Sequence, residues 1–238
     1  MTDPNRRAMT RFTARTRAIL DHVARHRITT NKVVQRLYLP HHQLNAVSKV
    51  TARLRRVSLL SKYPLIHPQV YYTLGPQTVQ ALGISPHRTL PLGPQVLPIE
   101  YAALAYATLG LTYHKRLTIP ELKQLCPWLT DEFAESPHCL DESRDPPVVE
   151  LIRVDLGGKS DHVARKCDAD IQARRGLGQF EPFVRQGRFR LVVITGTAAK
   201  AAAIQAAVDQ HLWPDGLQIH LVVLPELLLL TARLNHGT

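Results

Sequence analysis

Acidic residues are almost missing from the first third of the chain. Residues 1–75 contain 14 Lys and Arg but only two acids, Asp3 and Asp21, which gives this segment a net charge of +12. Residues 76–238 contain 16 Lys and Arg and 17 Asp and Glu, a net charge of −1. The +11 of the whole chain therefore lies in its first third, which predicts a polyanionic partner for that part.

Long apolar runs and closely spaced cysteines are missing as well. No run of 18 apolar residues occurs, and the opening MTDPNRRAMTRF is charged, so we expect neither a transmembrane helix nor a secretory signal. The three cysteines, Cys126, Cys139 and Cys167, include no CxxC pair. This spacing argues against a disulfide framework or a zinc ribbon, and it indicates a reducing, cytoplasmic location without a membrane partner.

The first third does contain an amphipathic segment from Gln43 to Arg56, QLNAVSKVTARLRR. At 100° per residue, its apolar residues fall on one side of a helix: Leu44, Val47, Val50, Leu54 and Val57. Polar and cationic residues fall on the other side: Asn45, Ser48, Lys49, Arg53 and Arg56. Such a helix can pack on two others and place its outer face in a DNA major groove. The alternative is a solvated charged face without a ligand.

Two further helices are predicted before this segment. After a basic arm at residues 1–9, one helix is expected over 10–26 and a second over 31–37, capped by Thr29 or Thr30. The apolar residues expected to build a core with the third helix are Phe12, Ile19, Leu20, Val23, Val33, Val34, Leu37, Leu59 and Leu60.

A two-stranded ribbon is predicted after the third helix. The segment SKYPLIHPQVYYTLG, residues 61–75, has the spacing of short strands, and its prolines confine the first strand to an edge or a loop. Three helices followed by a ribbon is the order of a winged helix-turn-helix domain, here residues 1–83. Lys62 is expected at the base of the wing, near a phosphate.

The rest of the chain predicts a linker and a second domain. Residues 84–112 are interpreted as a linker followed by a connecting helix over 98–111, which is apolar around its circumference and therefore buried. Residues 130–147 are predicted to be acidic and irregular. The helices of the second domain, 113–238, are expected at 117–125, 160–174, 197–211 and from 225, and its strands at 148–156, 188–195 and 218–224. Apolar strands that alternate with helices predict a covered, mixed sheet, and hence a two-domain α+β or α/β protein.

The chain resembles the replication-relaxation family of plasmid and integrative-element proteins. In the first domain the similarity lies in LRRVSLLSKYPL and VYYTLGPQTVQALG, and in the second it lies in IRVDLGG, Lys166 and FRLVVIT. The resemblance implies a winged helix joined to a diverged restriction-endonuclease-type (PD-(D/E)XK-like) domain. It also implies a nucleoid- or plasmid-associated role in the processing, maintenance or transcriptional control of a mobile element.

A working nuclease of that type needs carboxylates around a divalent metal and a nearby lysine. Asp141, Asp155 and Lys166 are the candidates, with Mg²⁺ as the cofactor. However, Arg153 stands where the family pattern tends to have an acid, and Gly157 stands where a lysine would follow Asp155. We therefore expect an inactive domain without a cofactor, and the nuclease or nickase remains the alternative.

The sequence predicts a double-stranded DNA-binding protein that is not an enzyme. Asn45, Ser48, Lys49 and Arg53 are expected near base edges, and Arg55, Arg56 and Lys62 near phosphates. The second domain is expected to form a homodimer or to dock a protein partner, and a third hypothesis is a non-catalytic scaffold in a nucleoprotein complex. No confident catalytic or metal-binding residue is predicted.

Overall fold

The computed structural model describes residues 12–235, with side chains described for residues 12–232. The protein is mixed α/β, and it divides into two compact units, residues 1–93 (the N-terminal unit) and 94–238 (the C-terminal unit). None of the helices in the described range is long and apolar enough to cross a membrane. The basic arm predicted for residues 1–9 lies outside the described residues.

The N-terminal unit contains helices and a small antiparallel sheet. Its elements are α1 (Ala14–His26), β1 (Thr29–Thr30), α2 (Asn31–Tyr38), α3 (Leu44–Arg56), β2 (Leu60–Pro64), β3 (Val70–Leu74) and α4 (Pro76–Leu82), followed by a 3-10 turn at Pro86–Thr89. The strand order is β1-β3-β2, so the β2–β3 hairpin leaves β2 at an edge. The three helices and the ribbon lie where the sequence predicts them. The strand β1 was not predicted, because two residues carry no detectable periodicity.

Local sequence explains where the N-terminal helices begin. Thr13 and Thr30 cap α1 and α2, and each threonine hydroxyl accepts a hydrogen bond from a backbone N–H in the first turn. The core contains the predicted Ile19, Leu20 and Val23, which are fully buried. Leu59 and Leu60 are also buried, as predicted.

The buried side of α3 is narrower than the predicted one. Leu44 and Val57 were predicted to be buried, but they are 50% and 46% exposed. The helix packs through the predicted Val47 and Leu54, which are 0% and 5% exposed, and through Thr51, which is 0% exposed and was not predicted. The buried residues form a narrow stripe, because residues 51 and 54 follow residue 47 by about one and two helical turns. Residues 44 and 57 lie at the two edges of this stripe.

The C-terminal unit is built on a five-stranded mixed sheet. Its elements are α5 (Val96–Leu109), β4 (Lys115–Arg116), α6 (Ile119–Leu125), α7 (Asp131–Ala134), β5 (His138–Asp141), β6 (Val148–Val154), α8 (Ser160–Arg175), α9 (Phe180–Arg185), β7 (Phe189–Thr195), α10 (Ala198–Val208), β8 (Gln218–Val223) and α11 (Glu226–Asn235). The strand order is β4-β5-β6-β7-β8. The pairs β4–β5 and β5–β6 are antiparallel, and β6–β7 and β7–β8 are parallel.

Helices cover both faces of this sheet. Odd-numbered residues of the central strands, such as Leu151 and Leu191, pack with Ile171 of α8, Phe183 of α9 and Ile204 of α10. The even-numbered residues point to the opposite face, because side chains alternate along a strand. There α5 contacts β6, and α11 packs on α5.

Two sequence interpretations of this region need correction. The helix interpreted as a connection, α5, packs inside the C-terminal unit, and the units separate between Gly93 and Pro94. Its apolar circumference explains this, since a helix without a polar face is stable only when it is buried. The segment 130–147 is not wholly irregular, because it contains α7 and β5. Strand β5 has only four residues, HCLD, and shows no apolar alternation.

Candidate nucleic-acid interface and polar clusters of the C-terminal unit

The outer face of α3 carries a row of polar and cationic side chains, here called the basic row: Asn45, Lys49, Arg53 and Arg56. All four are exposed. On a helical wheel they fall within about 80° of one another and roughly opposite the buried stripe. A helix of 13 residues is about 20 Å long, so the row extends along most of one helix face. The basic row is therefore available to a long, negatively charged ligand.

Ser48, which is also predicted to face DNA, contacts a neighbouring helix. It is half-buried, and its hydroxyl accepts a hydrogen bond of 3.0 Å from Asn31 Nδ2. The Thr51 hydroxyl lies 2.9 Å from Asn31 Oδ1 and 3.0 Å from the Tyr72 hydroxyl. This network joins α2, α3 and β3, so Ser48 helps to fix the angle at which α3 presents the basic row.

The other predicted DNA contacts, Arg55 and Lys62, are exposed. Arg55 lies on α3 beside Ser48, about 120° from the middle of the basic row on a helical wheel. Lys62 lies on the edge strand β2, where it pairs with Tyr72 of β3. These positions suit contacts beside the basic row better than contacts within it.

Nothing acidic neutralises these cations within the described residues. Between residues 12 and 93 the sequence has one acid, Asp21, and it lies on α1. Within the part of the chain that the structure describes, none of Lys49, Arg53, Arg55, Arg56 and Lys62 forms an ion pair with a carboxylate. Uncompensated cations on one face produce a positive potential that attracts polyanions.

The structure does not bring the predicted nuclease residues together. Asp141 ends β5 opposite Val148, the first residue of β6, whereas Asp155 follows the last residue of β6. The length of β6 therefore separates the two carboxylates, roughly 20 Å. Lys166 is exposed on α8. These three residues do not form a common metal site.

Asp155 has a structural role at the end of β6. It is 6% exposed, and it accepts hydrogen bonds from the Gly157 N–H at 2.9 Å and from the Thr195 hydroxyl at 3.0 Å. Thr197 caps α10 next to it, and its hydroxyl accepts a hydrogen bond from the Lys200 N–H at 3.0 Å. The carboxylate therefore closes the turn after β6 and ties it to β7.

Cations occupy the end of β6 where a nuclease would need acids. Arg153 Nε lies 2.5 Å from Asp170 Oδ2 of α8. Arg174 is fully buried over the ring of Phe133, and burial lowers its pKa to about 10. Burial and neighbouring arginines lower the pKa of His138 to about 3, so this imidazole is neutral. A divalent cation would be repelled by this arrangement.

A second polar cluster, which the sequence analysis missed, lies at the opposite end of β6. Glu150 is fully buried, and its Oε1 accepts hydrogen bonds from the Tyr106 hydroxyl at 2.8 Å and from Arg190 Nη1 at 2.9 Å. Burial and the Glu150 carboxylate raise the pKa of Tyr106, so the phenol remains a donor. The nearby Arg190 also lies 3.5 Å from Asp141. A signal was present in the sequence, because Glu150 and Arg190 are charged residues within mostly apolar strands.

Asp141 is ionised in this cluster. Desolvation is the largest single influence and raises its pKa, but two hydrogen bonds from Ser143 and the charges of His114 and Arg190 outweigh it, so the pKa of Asp141 lies below its usual value. His114, in the loop after α5, stacks on the Tyr106 ring at 4.5 Å, and its Nδ1 lies 2.9 Å from Glu150 Oε2. Two carboxylates, an imidazole and a guanidinium are thus collected in one largely buried place.

Comparison of the chain with protein-family models, curated proteins and solved structures finds no match. The basic row is exposed and uncompensated, whereas the polar groups of the C-terminal unit are mostly buried and paired. Exposure and charge make the N-terminal unit the stronger candidate for binding a large ligand.

Proposed function

We propose that this protein binds double-stranded DNA through its N-terminal unit, with α3 as the recognition helix of a winged helix. The observation that carries the proposal is the exposed basic row, which no described carboxylate neutralises. The order helix, short strand, two helices and hairpin, with strand order β1-β3-β2, supports it. The proposal agrees with the resemblance of LRRVSLLSKYPL and the residues after it to the replication-relaxation family.

The arrangement of the side chains suggests two kinds of DNA contact. Asn45, Lys49 and Arg53 extend from the outer face of α3, which can enter a major groove about 12 Å wide. Arg56 at the end of α3 joins Arg55 and Lys62 as phosphate contacts. Phosphate contacts fix the position of the protein on the duplex, and contacts with base edges select the sequence. Ser48 contributes indirectly through the Asn31 hydrogen bond.

The C-terminal unit serves in this proposal as a non-catalytic module for homodimerisation or for docking a protein partner. Its mixed five-stranded sheet is compatible with the diverged restriction-endonuclease-type domain that the resemblance implies. The separation of Asp141 from Asp155 and the cations Arg153 and Arg174 argue against a nuclease at the end of β6. The biological role proposed is processing, maintenance or transcriptional control of a mobile element.

A charge-reversal experiment tests DNA binding. The variant Arg53→Glu/Arg56→Glu changes two residues of the basic row, and Arg165→Glu/Arg185→Glu makes the same change in net charge at exposed positions of the C-terminal unit. Fluorescence anisotropy with a mixed-sequence duplex measures the affinity, and circular dichroism checks the fold. We expect the first variant to lose at least about tenfold in affinity at low salt and the second to change little, because counterion release needs local contacts.

Equal losses in the two variants would show that the overall charge, rather than the basic row, governs binding. Full affinity in the Arg53→Glu/Arg56→Glu variant would remove the proposal. Incubation of the wild-type chain with supercoiled plasmid and Mg²⁺ addresses the nuclease alternative in the same series, with Asp155→Ala for comparison. Mass measurement of the purified chain then distinguishes a homodimer from a monomer that needs another partner.

A further inference from the structure

Three residues that the DNA-binding proposal does not use converge in the C-terminal unit: His114, Asp141 and Glu150, here called the His114 cluster. One candidate ligand atom from each residue lies within 4.8 Å of the other two. Strand pairing places the acids together, since Cys139 of β5 lies opposite Glu150 and Asp141 is two residues further on the same face. A backbone hydrogen bond of 2.9 Å from the His114 N–H to the Ala107 carbonyl holds the histidine loop against α5.

Hydrogen bonds fix one oxygen of each carboxylate, and the other oxygen of each faces a basic side chain. Asp141 Oδ1 accepts from the Ser143 N–H at 3.1 Å and from the Ser143 hydroxyl at 2.5 Å. Glu150 Oε1 accepts from Tyr106 and Arg190. Asp141 Oδ2 lies 3.5 Å from a guanidinium nitrogen of Arg144 and 3.5 Å from one of Arg190. The donors thus orient both carboxylates without using every oxygen.

The remaining atoms of the cluster are buried and lack hydrogen bonds. Glu150 Oε2 and His114 Nδ1 lie 2.9 Å apart, but neither of them makes a hydrogen bond. Buried polar atoms normally have a partner, and an unsatisfied one needs an explanation. When His114 Nδ1 carries no proton, it and Glu150 Oε2 both offer a lone pair, and both can bind a third, positively charged species.

We propose that the His114 cluster binds one divalent first-row transition metal ion, of the class of Zn²⁺ or Mn²⁺. One imidazole nitrogen and two carboxylate oxygens suit such an ion, whereas Mg²⁺ and Ca²⁺ prefer sites made only of oxygen. Tyr106, Arg190 and Ser143 would act as outer-shell partners that orient the ligands. The site joins the loop after α5 to β5 and β6, at the end of β6 away from Asp155.

The rival explanation is an ion pair between a protonated His114 and Glu150, with no metal. Geometry alone does not separate the two, because Arg144 and Arg190 lie beside the carboxylates in either case. An imidazolium requires nothing from solution, but a metal site binds an added ion with a defined stoichiometry. Direct binding measurements therefore distinguish them.

The test uses the full chain, first stripped with EDTA, and equilibrium dialysis against Zn²⁺ and separately against Mn²⁺. His114→Ala removes one ligand at a residue whose side chain is 12% exposed. His211→Ala is the matched control in the same unit, because that histidine lies 3.5 Å from a single carboxylate, Asp168. Thermal unfolding, followed by tryptophan fluorescence, checks that each variant is folded.

We expect the wild type and His211→Ala each to bind one Zn²⁺ per chain. His114→Ala should bind Zn²⁺ at least about 100-fold more weakly than the wild type, because loss of an outer-shell partner alone weakens metal affinity by up to about 100-fold and His114 is a direct ligand. Saturating Zn²⁺ should raise the melting temperature of the wild type by about 5 °C and leave His114→Ala unchanged. Asp141→Asn should weaken binding as well. If His114→Ala binds as tightly as the wild type, or if the wild type binds no stoichiometric ion, the proposal is wrong and the cluster is an ion pair.

Discussion

Removing Arg190 tests how much the buried charges of the C-terminal unit depend on one another. The Arg190 guanidinium lies 2.9 Å from Glu150 and 3.5 Å from Asp141, and the side chains of Arg190 and Glu150 are 3% and 0% exposed. Arg190→Met keeps a long apolar stem but removes the charge. Glu150 then remains in the interior with Asp141 beside it and without its guanidinium partner.

The burial of this ion pair sets the expected loss in the free energy of unfolding. Breaking a buried ion pair by removing one partner costs about 3–5 kcal/mol, because an uncompensated charge stays buried. The chain also contains a comparison pair, Arg175 and Glu181, with a similar separation of 2.7 Å but side chains that are 43% and 39% exposed. Exposed pairs contribute only about 0–1 kcal/mol, since water screens both charges. Arg175→Met should therefore have a small effect.

Urea unfolding measured by tryptophan fluorescence reads out the difference. Both tryptophans, Trp128 and Trp213, belong to the C-terminal unit, so the signal reports on this unit alone. With an m-value of about 2 kcal/mol/M, a loss of about 4 kcal/mol lowers the urea midpoint by about 2 M. EDTA in the buffer keeps any bound metal from contributing.

A double-mutant cycle measures the interaction energy between Glu150 and Arg190 directly. Replacing both partners, Glu150→Met with Arg190→Met, should cost less than the sum of the two single changes, by an interaction energy of about 1–3 kcal/mol. The same cycle on Arg175 and Glu181 should give less than about 0.5 kcal/mol. If Arg190→Met and Arg175→Met have equal effects, burial does not control these ion pairs and the argument fails.

Two further predictions concern the N-terminal unit. If the protein makes about six phosphate contacts, log K for duplex binding should fall with log salt at a slope of about −5, and Arg53→Ala/Arg56→Ala should reduce the steepness of that slope by about 2. Fluorescence anisotropy between low and moderate salt measures the slope. An unchanged slope in the variant would place these arginines away from the phosphates. Burial and the nearby charge of Arg25 lower the pKa of His22 from 6.5 to about 4. Between these pH values the folded unit binds fewer protons than the unfolded chain. Its free energy of unfolding should therefore fall by up to about 3 kcal/mol as the pH falls from 6.5 to 4. His22→Leu should remove this dependence in urea unfolding followed by NMR signals of the unit, and a variant that keeps the full pH dependence would show that another group is responsible.

Local periodicity was sufficient to predict the helices and the ribbon of the N-terminal unit. It predicted the buried Val47 and Leu54 of α3 but not the edges of the buried stripe, because a wide apolar side leaves several rotations of the helix open. Leu44 and Val57 suit the pattern but are exposed, whereas Thr51 is buried since its hydroxyl finds Asn31 and Tyr72. Only the partners across the unit decide that choice, and the hydrogen bond between Asn31 and Ser48 could not be read from the sequence for the same reason.

The cluster around Glu150 could not be predicted from the sequence for a different reason. Its members come from a helix, a loop and three strands, and the hydrogen bond between Tyr106 and Glu150 spans 44 positions of the chain. Sequence spacing indicates a site when the ligands lie on one element, but here strand register brings them together. The order of the strands and their antiparallel or parallel direction had to be known before Asp141 could be paired with Glu150 rather than Asp155.

Arginine has two different roles in this chain, and the difference supports the assignment of DNA binding to the N-terminal unit. In the C-terminal unit, Arg116, Arg153, Arg175 and Arg190 each lie within 3.2 Å of a carboxylate oxygen, so they hold helices, loops and strands together. On α3 the arginines extend outward, and no described acid pairs with them. Local acids neutralise the arginines of the C-terminal unit, whereas those along one face of α3 are left uncompensated. The uncompensated arginines produce a positive potential that would attract a DNA duplex. The same contrast explains why reversing charges on the C-terminal unit is the proper control for reversing them on α3.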